Sequence, residues 1–546
     1  MTLSLSHIAI ERGSRVLSSE VSFTAGPGDV VGLIGPNGCG KTTLLEVIAG
    51  VRTPVDGEVA LPPGTSVGLL SQSRHASPGA TVAATVRHAT GVSAAAHRLD
   101  AATDQLAAGD LSPAAAEAYD VALADWLARG GADLDDRFPQ IAAAVGLDAA
   151  PDQPAATLSG GQAARLALAG VLLSRYDALL LDEPTNDLDE AGLALLRRFI
   201  GDTDVPVVLV SHDRDFLAST ITSVVEFDPV LARTHWYRGG FDAWRAERAA
   251  AREAAAREYA AYESTRDALA ARARAARDSA SHGSATARRK YAAGRVDKVT
   301  RDRMLDGASG GAQAARRIEA QADKLQAPDQ PRKQWQLRLA FPSAPAAPEV
   351  LATLDQATLL AGSFTLGPIT VAVHAGDRIL VSGANGSGKT LLLSLLLGTR
   401  APDAGRASAL PAALVEVVDQ GRALPAAPTT LSAASTLLPD VEPVALRTHL
   451  AKFGLDADDL TRSPAHLSWG ERTRLQLAVA AARPTAALVL DESTNHVDLP
   501  AIEQLEQALA AYPGAVILAT HDARLRSAFR ATRHWRLDQG RLVGTT

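Results

Sequence analysis

The chain has 546 residues, 47% hydrophobic and 21% charged, with a formal net charge of −7, enough for about three to five domains of roughly 100–200 residues each. No uninterrupted apolar run approaches the ~18 residues of a membrane span, and a single cysteine, Cys39, excludes an internal disulfide framework and a Cys-rich zinc site. The charge is uneven: residues 245–338 hold 21 Lys and Arg against 12 Asp and Glu, and the rest of the chain 33 against 49, so a basic middle suited to a polyanion lies between acidic flanks.

The opening Met1-Thr2-Leu3-Ser4 lacks the basic and apolar regions of a secretory signal, and a cytoplasmic location is expected. The apolar run Val30 to Ile34 leads into Gly35-Pro36-Asn37-Gly38-Cys39-Gly40-Lys41-Thr42-Thr43, and a Leu-rich helical segment follows. This is the phosphate-cradling pattern G-x-x-x-x-G-K-[ST] in the setting it requires. The backbone N–H groups of such a turn and of the following helix N-terminus point at phosphate oxygens. Lys41 is expected to reach the β- and γ-phosphates and Thr42 to offer its hydroxyl to Mg²⁺, with Cys39 a passive filler. The pattern returns as Gly383-Ala384-Asn385-Gly386-Ser387-Gly388-Lys389-Thr390, 348 positions later. That spacing is too long for a solenoid repeat and right for two domains.

Further on stand Leu158-Ser159-Gly160-Gly161-Gln162 and an apolar strand, Ala178 to Leu181, that delivers Asp182-Glu183-Pro184-Thr185-Asn186-Asp187-Leu188-Asp189. The first string resembles the signature motif of ATP-binding cassette ATPases, and Asp182-Glu183 resembles their Walker B pair. The resemblance implies that Asp182 holds Mg²⁺ and that Glu183 polarises the attacking water. It further implies a γ-phosphate contact from His212, in Ser211-His212-Asp213-Arg214-Asp215, and Mg²⁺ sensing by Gln72. The family places an adenine-stacking aromatic upstream of the loop, but Glu11 to Arg15 contains none. From Gln72 to Leu158 is 86 positions, against 47 from Gln420 to Leu467, so the first half carries a larger intervening subdomain. Asp120 to Leu127 and Phe138 to Val145 read as helical pieces of it.

From Asp242 the chain turns rich in Ala, Arg and Glu. Ala251, Ala255, Tyr259, Tyr262, Leu269, Ala273 and Ala276 fall near one helix face. Leu305, Ala308, Ala312, Ala315, Ile318, Ala322 and Leu325 step by three and four like a coiled-coil seam. Two antiparallel helices are predicted, the second weakened at its start by Gly307, Gly310 and Gly311. Between them Ser279 to Thr300 reads as a mobile basic tip with Arg288, Arg289, Lys290, Arg295 and Lys298. Twin cassettes in one chain, joined after Gly239-Gly240-Phe241 by a charged hairpin, resemble the ABC-F family. Members of that family work on ribosomes, where the hairpin reaches toward the tRNA sites.

In the second half Trp335 to Leu339 reads as strand-like and Pro342 to Pro348 as a surface loop. The motif order then repeats with Lys389, Gln420, Leu467-Ser468-Trp469-Gly470-Glu471, Asp491-Glu492 and His521. Trp469 replaces a small residue, Ser493 stands where the first copy has Pro184, and again no adenine-stacking aromatic is evident. The expected fold is α/β: two P-loop ATP-binding cassettes, 1–240 and 335–546, joined by an α-helical hairpin, 241–334. The resemblance implies two composite ATP sites. One joins Lys41, Thr42, Asp182, Glu183 and His212 to Ser468, Trp469, Gly470 and Glu471. The other joins Lys389, Thr390, Asp491, Glu492 and His521 to Ser159, Gly160, Gly161 and Gln162, and Gln72 and Gln420 complete the metal environments. It implies a monomeric, Mg²⁺-dependent cytosolic ATPase that pairs its own cassettes, contacts rRNA and tRNA on the ribosome, and protects against an antibiotic. The ATPase component of a drug exporter is the alternative, and a DNA-repair cassette protein a third reading.

Overall fold

The computed structural model describes all residues except 13–14, 72–78, 187, 229–230, 296–297, 326–338, 345–346, 363, 420–423, 493–498, 521 and 546. It divides into two units, Met1–Phe241 with Gln336–Thr546, and Asp242–Trp335.

Within the first unit one topology occurs twice. A six-stranded sheet has the spatial order Val67–Ser71, Ala178–Asp182, Val207–Val210, Val30–Ile34, Ser223–Asp228, Arg233–Arg238. Its counterpart runs Val415–Asp419, Ala487–Asp491, Ala515–Ala519, Arg378–Ser382, Arg533–Asp538, Arg541–Thr545. Neighbours are parallel except at the last strand of each sheet. A three-stranded antiparallel sheet accompanies each: Arg15–Ala25, Leu3–Arg12 and Asp56–Ala60, and then Phe364–His374, Val350–Ala361 and Ala404–Ser408.

The strand sequences explain this layering. In the second sheet Ile379, Val381, Val489, Ile517 and Ala519 belong to one hydrophobic core, while Leu380, Leu488, Leu490, Val516 and Leu518 belong to another. Alternate residues of these central strands face opposite cores, so their middles are continuous apolar runs with no polar face. The first charge in Ala178–Asp182 and in Ala487–Asp491 comes at the last residue, where the strand leaves the core.

Between the edge strand and the signature helix, the first cassette inserts helices Val82–Ala89, Val92–Ala107, Pro113–Ala128 and Leu134–Ala144. The second has only Thr430–Leu437, Pro443–Ala451 and Ala457–Thr461. The unequal motif spacings anticipate this difference. Asp125 accepts from Arg98 at 2.5 Å and from Arg129 at 2.9 Å, tying the two longest inserted helices together. Of the stretch expected as a surface loop, Ser343 instead bridges Thr485, and Ala344 N donates to Thr485 O at 2.9 Å. Residues 335–338 of the expected strand lie outside the described residues.

The second unit is a pair of helices, Phe241–Ala292 and Lys298–Asp323. The tip expected to be mobile from Ser279 is helical as far as Ala292, and Gly307, Gly310 and Gly311 lie inside the second helix. Ser281 and Ser284 fold their hydroxyls back onto the carbonyls of Asp278 and Ser281, so these residues do not compete with the helix from outside it. Of the first predicted apolar series, Leu269 and Ala273 are buried and Ala251 is exposed. In the second series Ile318 and Ala322 are half-buried, while the side chains of Leu305, Ala308, Ala312 and Ala315 lie outside the described set. Arg277 pairs with Glu319 across the two helices.

Leu180 is fully buried in the strand that carries Asp182. Leu180→Ala is expected to lower unfolding free energy by about 2–5 kcal/mol, read from the urea midpoint of the cassette transition.

Candidate functional site

Each Gly-rich turn joins the central strand of its sheet to a helix, Lys41–Ile48 or Lys389–Leu396. Gly40 and Gly388 cap these helices with φ of 106° and 102°. A Cβ on Gly40 would lie 2.8 Å from Ile10 Cδ1, and one on Gly388 would lie 2.9 Å from Leu366 Cδ1, so both the backbone angle and the space demand glycine. Lys41 Nζ donates back to the carbonyls of Gly35 at 2.8 Å and Pro36 at 3.2 Å, and Lys389 Nζ to that of Gly383 at 2.8 Å. Both ammonium groups are thus held over the mouths of their own loops. Cys39 is buried with its sulfur against Gly35, in keeping with a filling role.

The carboxylates arrive from the neighbouring sheet strands. Thr42 Oγ1 donates to Asp182 Oδ2 at 2.8 Å, and Thr390 Oγ1 to Asp491 Oδ2 at 3.0 Å. Burial raises both aspartates above the usual carboxyl range, and the threonine bonds oppose the shift. Glu183 and Glu492 follow immediately, at φ of 51° and 50°, a strained region for a residue with a Cβ. This turn sends each side chain off the strand axis toward the loop. Glu183 Oε1 lies 3.2 Å from His212 Nε2, which also lies 3.3 Å from Asn37 Oδ1. Burial pushes the Glu183 carboxyl up to about 8, against the pull of Lys41 and His212. Thr42 and Asp182, and Glu183 with His212, are thus brought together at the end of the sheet. Gln72, Gln420 and His521 lie outside the described residues.

Each signature begins a helix. Ser159 caps Gly160–Leu173: its Oγ accepts from Gln162 N at 3.3 Å, and Gln162 Oε1 accepts from Ser159 N at 3.0 Å. Ser468 and Glu471 form the same reciprocal cap on Trp469–Ala482, at 3.3 and 2.7 Å. The first signature meets the loop of the other cassette. A Cβ on Gly161 would lie 3.6 Å from Asn385 Cβ. Burial depresses the Lys389 pKa, and Glu492, Asp491 and, from the other cassette, Asp189 oppose the shift. Ser468, Gly470 and Glu471 hold the equivalent capped helix start in the second copy, and the side chain of Trp469 lies outside the described residues.

Two features were missed in the sequence. Asp189, quoted only as part of a string, caps the helix Glu190–Asp202, pairs with the signature-helix Arg165 at 3.1 Å and places its charge near Lys389. Phe364 lies beside the second loop, contrary to the expectation of no aromatic there. With Thr365, Asn385, Gly386, Asp538 and Arg541 it lines a cavity of about 640 Å³. It sits after the loop's supporting strand has turned back, so only the hairpin register, Ala361 opposite Phe364, could have revealed it. A cavity of about 210 Å³ in the first cassette lies instead on the carboxylate side of its loop, lined by Leu17, Asn37, Lys41, Thr42, Asp182 and Glu183.

The donor set suits a hard cation. A threonine hydroxyl and an aspartate lie in hydrogen-bond contact beside a phosphate-type loop, and the buried Glu183 Oε2 has no hydrogen-bond partner among the described residues. Among those residues no cluster of three His, Cys, Asp or Glu could hold a metal by itself. Mg²⁺ bound through one carboxylate, one hydroxyl and substrate phosphates fits this arrangement.

Between pH 4.5 and about 8, Glu183 carries a proton in the folded chain and none in the unfolded chain. Folding stability is therefore lost as pH rises through that window. Nucleotide-free Glu183→Gln is expected to melt above wild type by a margin that grows from about pH 5 to about pH 8.5 in calorimetry. An unchanged margin contradicts the raised pKa.

The model of the family described as ABC transporter matches residues 18–186 and 366–495. The tylosin resistance ATP-binding protein TlrC of Streptomyces fradiae is 33% identical over 99% of this chain and 98% of its own length. The energy-dependent translational throttle protein EttA of Haemophilus influenzae is 29% identical over 93% and 87%. Among solved structures, a chain from the complex of archaeal ribosomal stalk protein aP1 with archaeal ribosome recycling factor aABCE1 superposes with a TM-score of 0.58. It is 18% identical, covers 98% of this chain and 88% of that one, and supports the fold. Among the described residues no helix is long and apolar enough to cross a membrane. The duplicated cassette, its motif geometry and these matches agree: the chain belongs to the ABC transporter ATP-binding family and, within it, to the ABC-F twin-cassette proteins.

Proposed function

We propose that this chain is a cytoplasmic ATPase that closes its cassettes on ATP and binds the ribosome in that state. Through its helical hairpin it acts on the tRNA-bearing peptidyl-transferase region, protecting the ribosome from an antibiotic. The observation that carries the reading is the seating of Gly161 against Asn385, which supports a second nucleotide site shared by both cassettes. The exposed cations Arg288, Arg289, Lys290, Arg295 and Lys298 give the hairpin tip a surface suited to RNA phosphates. The names of the relatives point the same way, one to tylosin resistance and one to translation.

In this reading Lys41 and Lys389 neutralise the β- and γ-phosphates, and the capped helix starts at Ser159 and Ser468 offer N–H groups to the γ-phosphate from the opposite cassette. Thr42 and Asp182 would hold Mg²⁺ in one site and Thr390 and Asp491 in the other, where the ion would supply positive charge against the charge that develops on the phosphates; the family resemblance adds Gln72 and Gln420 to these sets. Glu183 and Glu492 orient and polarise the attacking water. His212, 3.2 Å from Glu183, and His521 contact the γ-phosphate. Phe364 stacks on the base in the second site. Arg15 occupies the same hairpin position in the first, opposite Arg12 as Phe364 is opposite Ala361.

Glu183→Gln with Glu492→Gln is expected to cut hydrolysis by about 10²–10⁴-fold while leaving ATP binding intact. This variant should co-sediment with ribosomes only when ATP is present. Failure to bind ribosomes with ATP, together with recovery in a membrane complex, overturns the reading in favour of an exporter subunit. Arg288, Arg289 and Lys290 replaced together by Glu should leave hydrolysis unchanged and abolish protection of in vitro translation from the drug. Phe364→Ala is expected to raise the half-saturating ATP concentration by about 10-fold, as loss of one base–aromatic stack implies.

A further inference from the structure

The helices that follow the two His motifs, Arg214–Thr220 and Ala523–Ala528, pack on one another across the cassette boundary. Their contact carries two ion pairs running in opposite senses. Arg214, with only 5% of its side chain exposed, directs both terminal nitrogens at Glu506 on helix Leu499–Ala511 and lies 3.8 Å from Asp522. Arg524 donates to Asp215 at 2.7 Å and also sits 5.7 Å over the ring of Phe241. Burial disfavours the Arg214 cation, but Glu506, Asp522 and Glu503 outweigh it and hold the guanidinium charged more firmly than usual. None of these side chains belongs to the nucleotide sites described above.

Comparing the two copies position by position shows what the charges do. Counted from His212 and His521, Arg214 corresponds to Ala523 and Asp215 to Arg524. Counted from Asp189 and Asp498, Glu506 corresponds to Arg197 on the equal-length helix Glu190–Asp202. Two first cassettes paired this way would set Arg214 against Arg197. Two second cassettes would leave Glu506 facing Ala523 and bring Arg524 against Arg524. Only unlike cassettes satisfy the charges, and a buried cation without its partner is strongly unfavourable.

We propose that Arg214–Glu506 and Asp215–Arg524 form a nucleotide-independent pivot that specifies pairing of the two unlike cassettes of one chain. The pairs hold the cassettes in register before ATP arrives, so that ATP has only to complete the signature-to-loop sites around a joint that already exists. The functional consequence rests on the composite-site reading above, whereas the pivot itself does not.

The test uses the full chain with Cys39→Ser, matching Ser387 of the second loop, and spin labels at Glu58→Cys and Arg406→Cys, exposed strand positions in the two cassettes. Without nucleotide, one narrow label separation is expected. Asp215→Arg and Glu506→Arg should each broaden it to longer distances, and Asp215→Arg with Arg524→Asp should restore it. The same single variants should raise the half-saturating ATP concentration for hydrolysis by about 10-fold or more, with little change in kcat, because ATP must then also bring the cassettes together. An unbroadened separation in both single variants, or a folded charge-swapped variant that stays broad, overturns the proposal. If wild type hydrolyses no ATP, the ATPase reading falls while the label distances still decide the pivot.

Discussion

A parallel sheet covered on both faces keeps charge out of the middle of its central strands. Everything chemical in the two cassettes is therefore displaced to where the strands end. Val30–Ile34 gives way to its glycine-rich turn, Ala178–Asp182 ends on a carboxylate, and Val207–Val210 runs into Ser211 and His212. The registers place Asp182 opposite Val210 and Asp491 opposite Ala519. Residues more than a hundred positions apart in sequence thus become neighbours at one edge, as Thr42 and Asp182 do. The Glu183 environment follows from the same constraint, because a side chain leaving a buried strand end is still largely shielded from water.

Much of this was legible in the sequence because the chemistry is local. Loop, signature and Walker B motifs are contiguous strings bounded by apolar runs, and their positions on strand ends and helix starts follow from those runs. What escaped notice depends on register or on the tertiary partner. Phe364 becomes a cavity wall only once the hairpin pairs Ala361 with it, and Asp189 matters only once the other cassette's Lys389 lies near. The linker shows the opposite limit. Ser, Gly and His in Ser281-His282-Gly283-Ser284 suggest a break by composition. Flanking Ala- and Arg-rich segments carry the helix through, and the serine hydroxyls are absorbed by carbonyls of the same helix.

The duplication is not a symmetric one. The first cassette carries the longer helical insertion, the second has an aromatic wall beside its loop, and the third residue of the signature helix is Gln162 in one copy and Glu471 in the other. Glu471 is joined to Arg462 at 3.2 Å, whereas Gln162 Nε2 donates to the Asp148 carbonyl at 2.9 Å. Burial raises the Glu471 pKa, but its bonds to Ser468 and the neighbouring arginine prevail and keep it ionised. One signature helix start thus carries a neutral amide and the other a compensated carboxylate.

Both signature serines are already engaged in capping their own helices. In each cap the serine oxygen accepts from an N–H of its own helix, that of Gln162 or of Glu471, so the hydroxyl hydrogen is left to donate. The bond spent inward is an accepting one, and the positive end of the helix dipole lies beside it. A cap of this kind settles the helix start without using up its donors: the end is closed as structure and still open as chemistry.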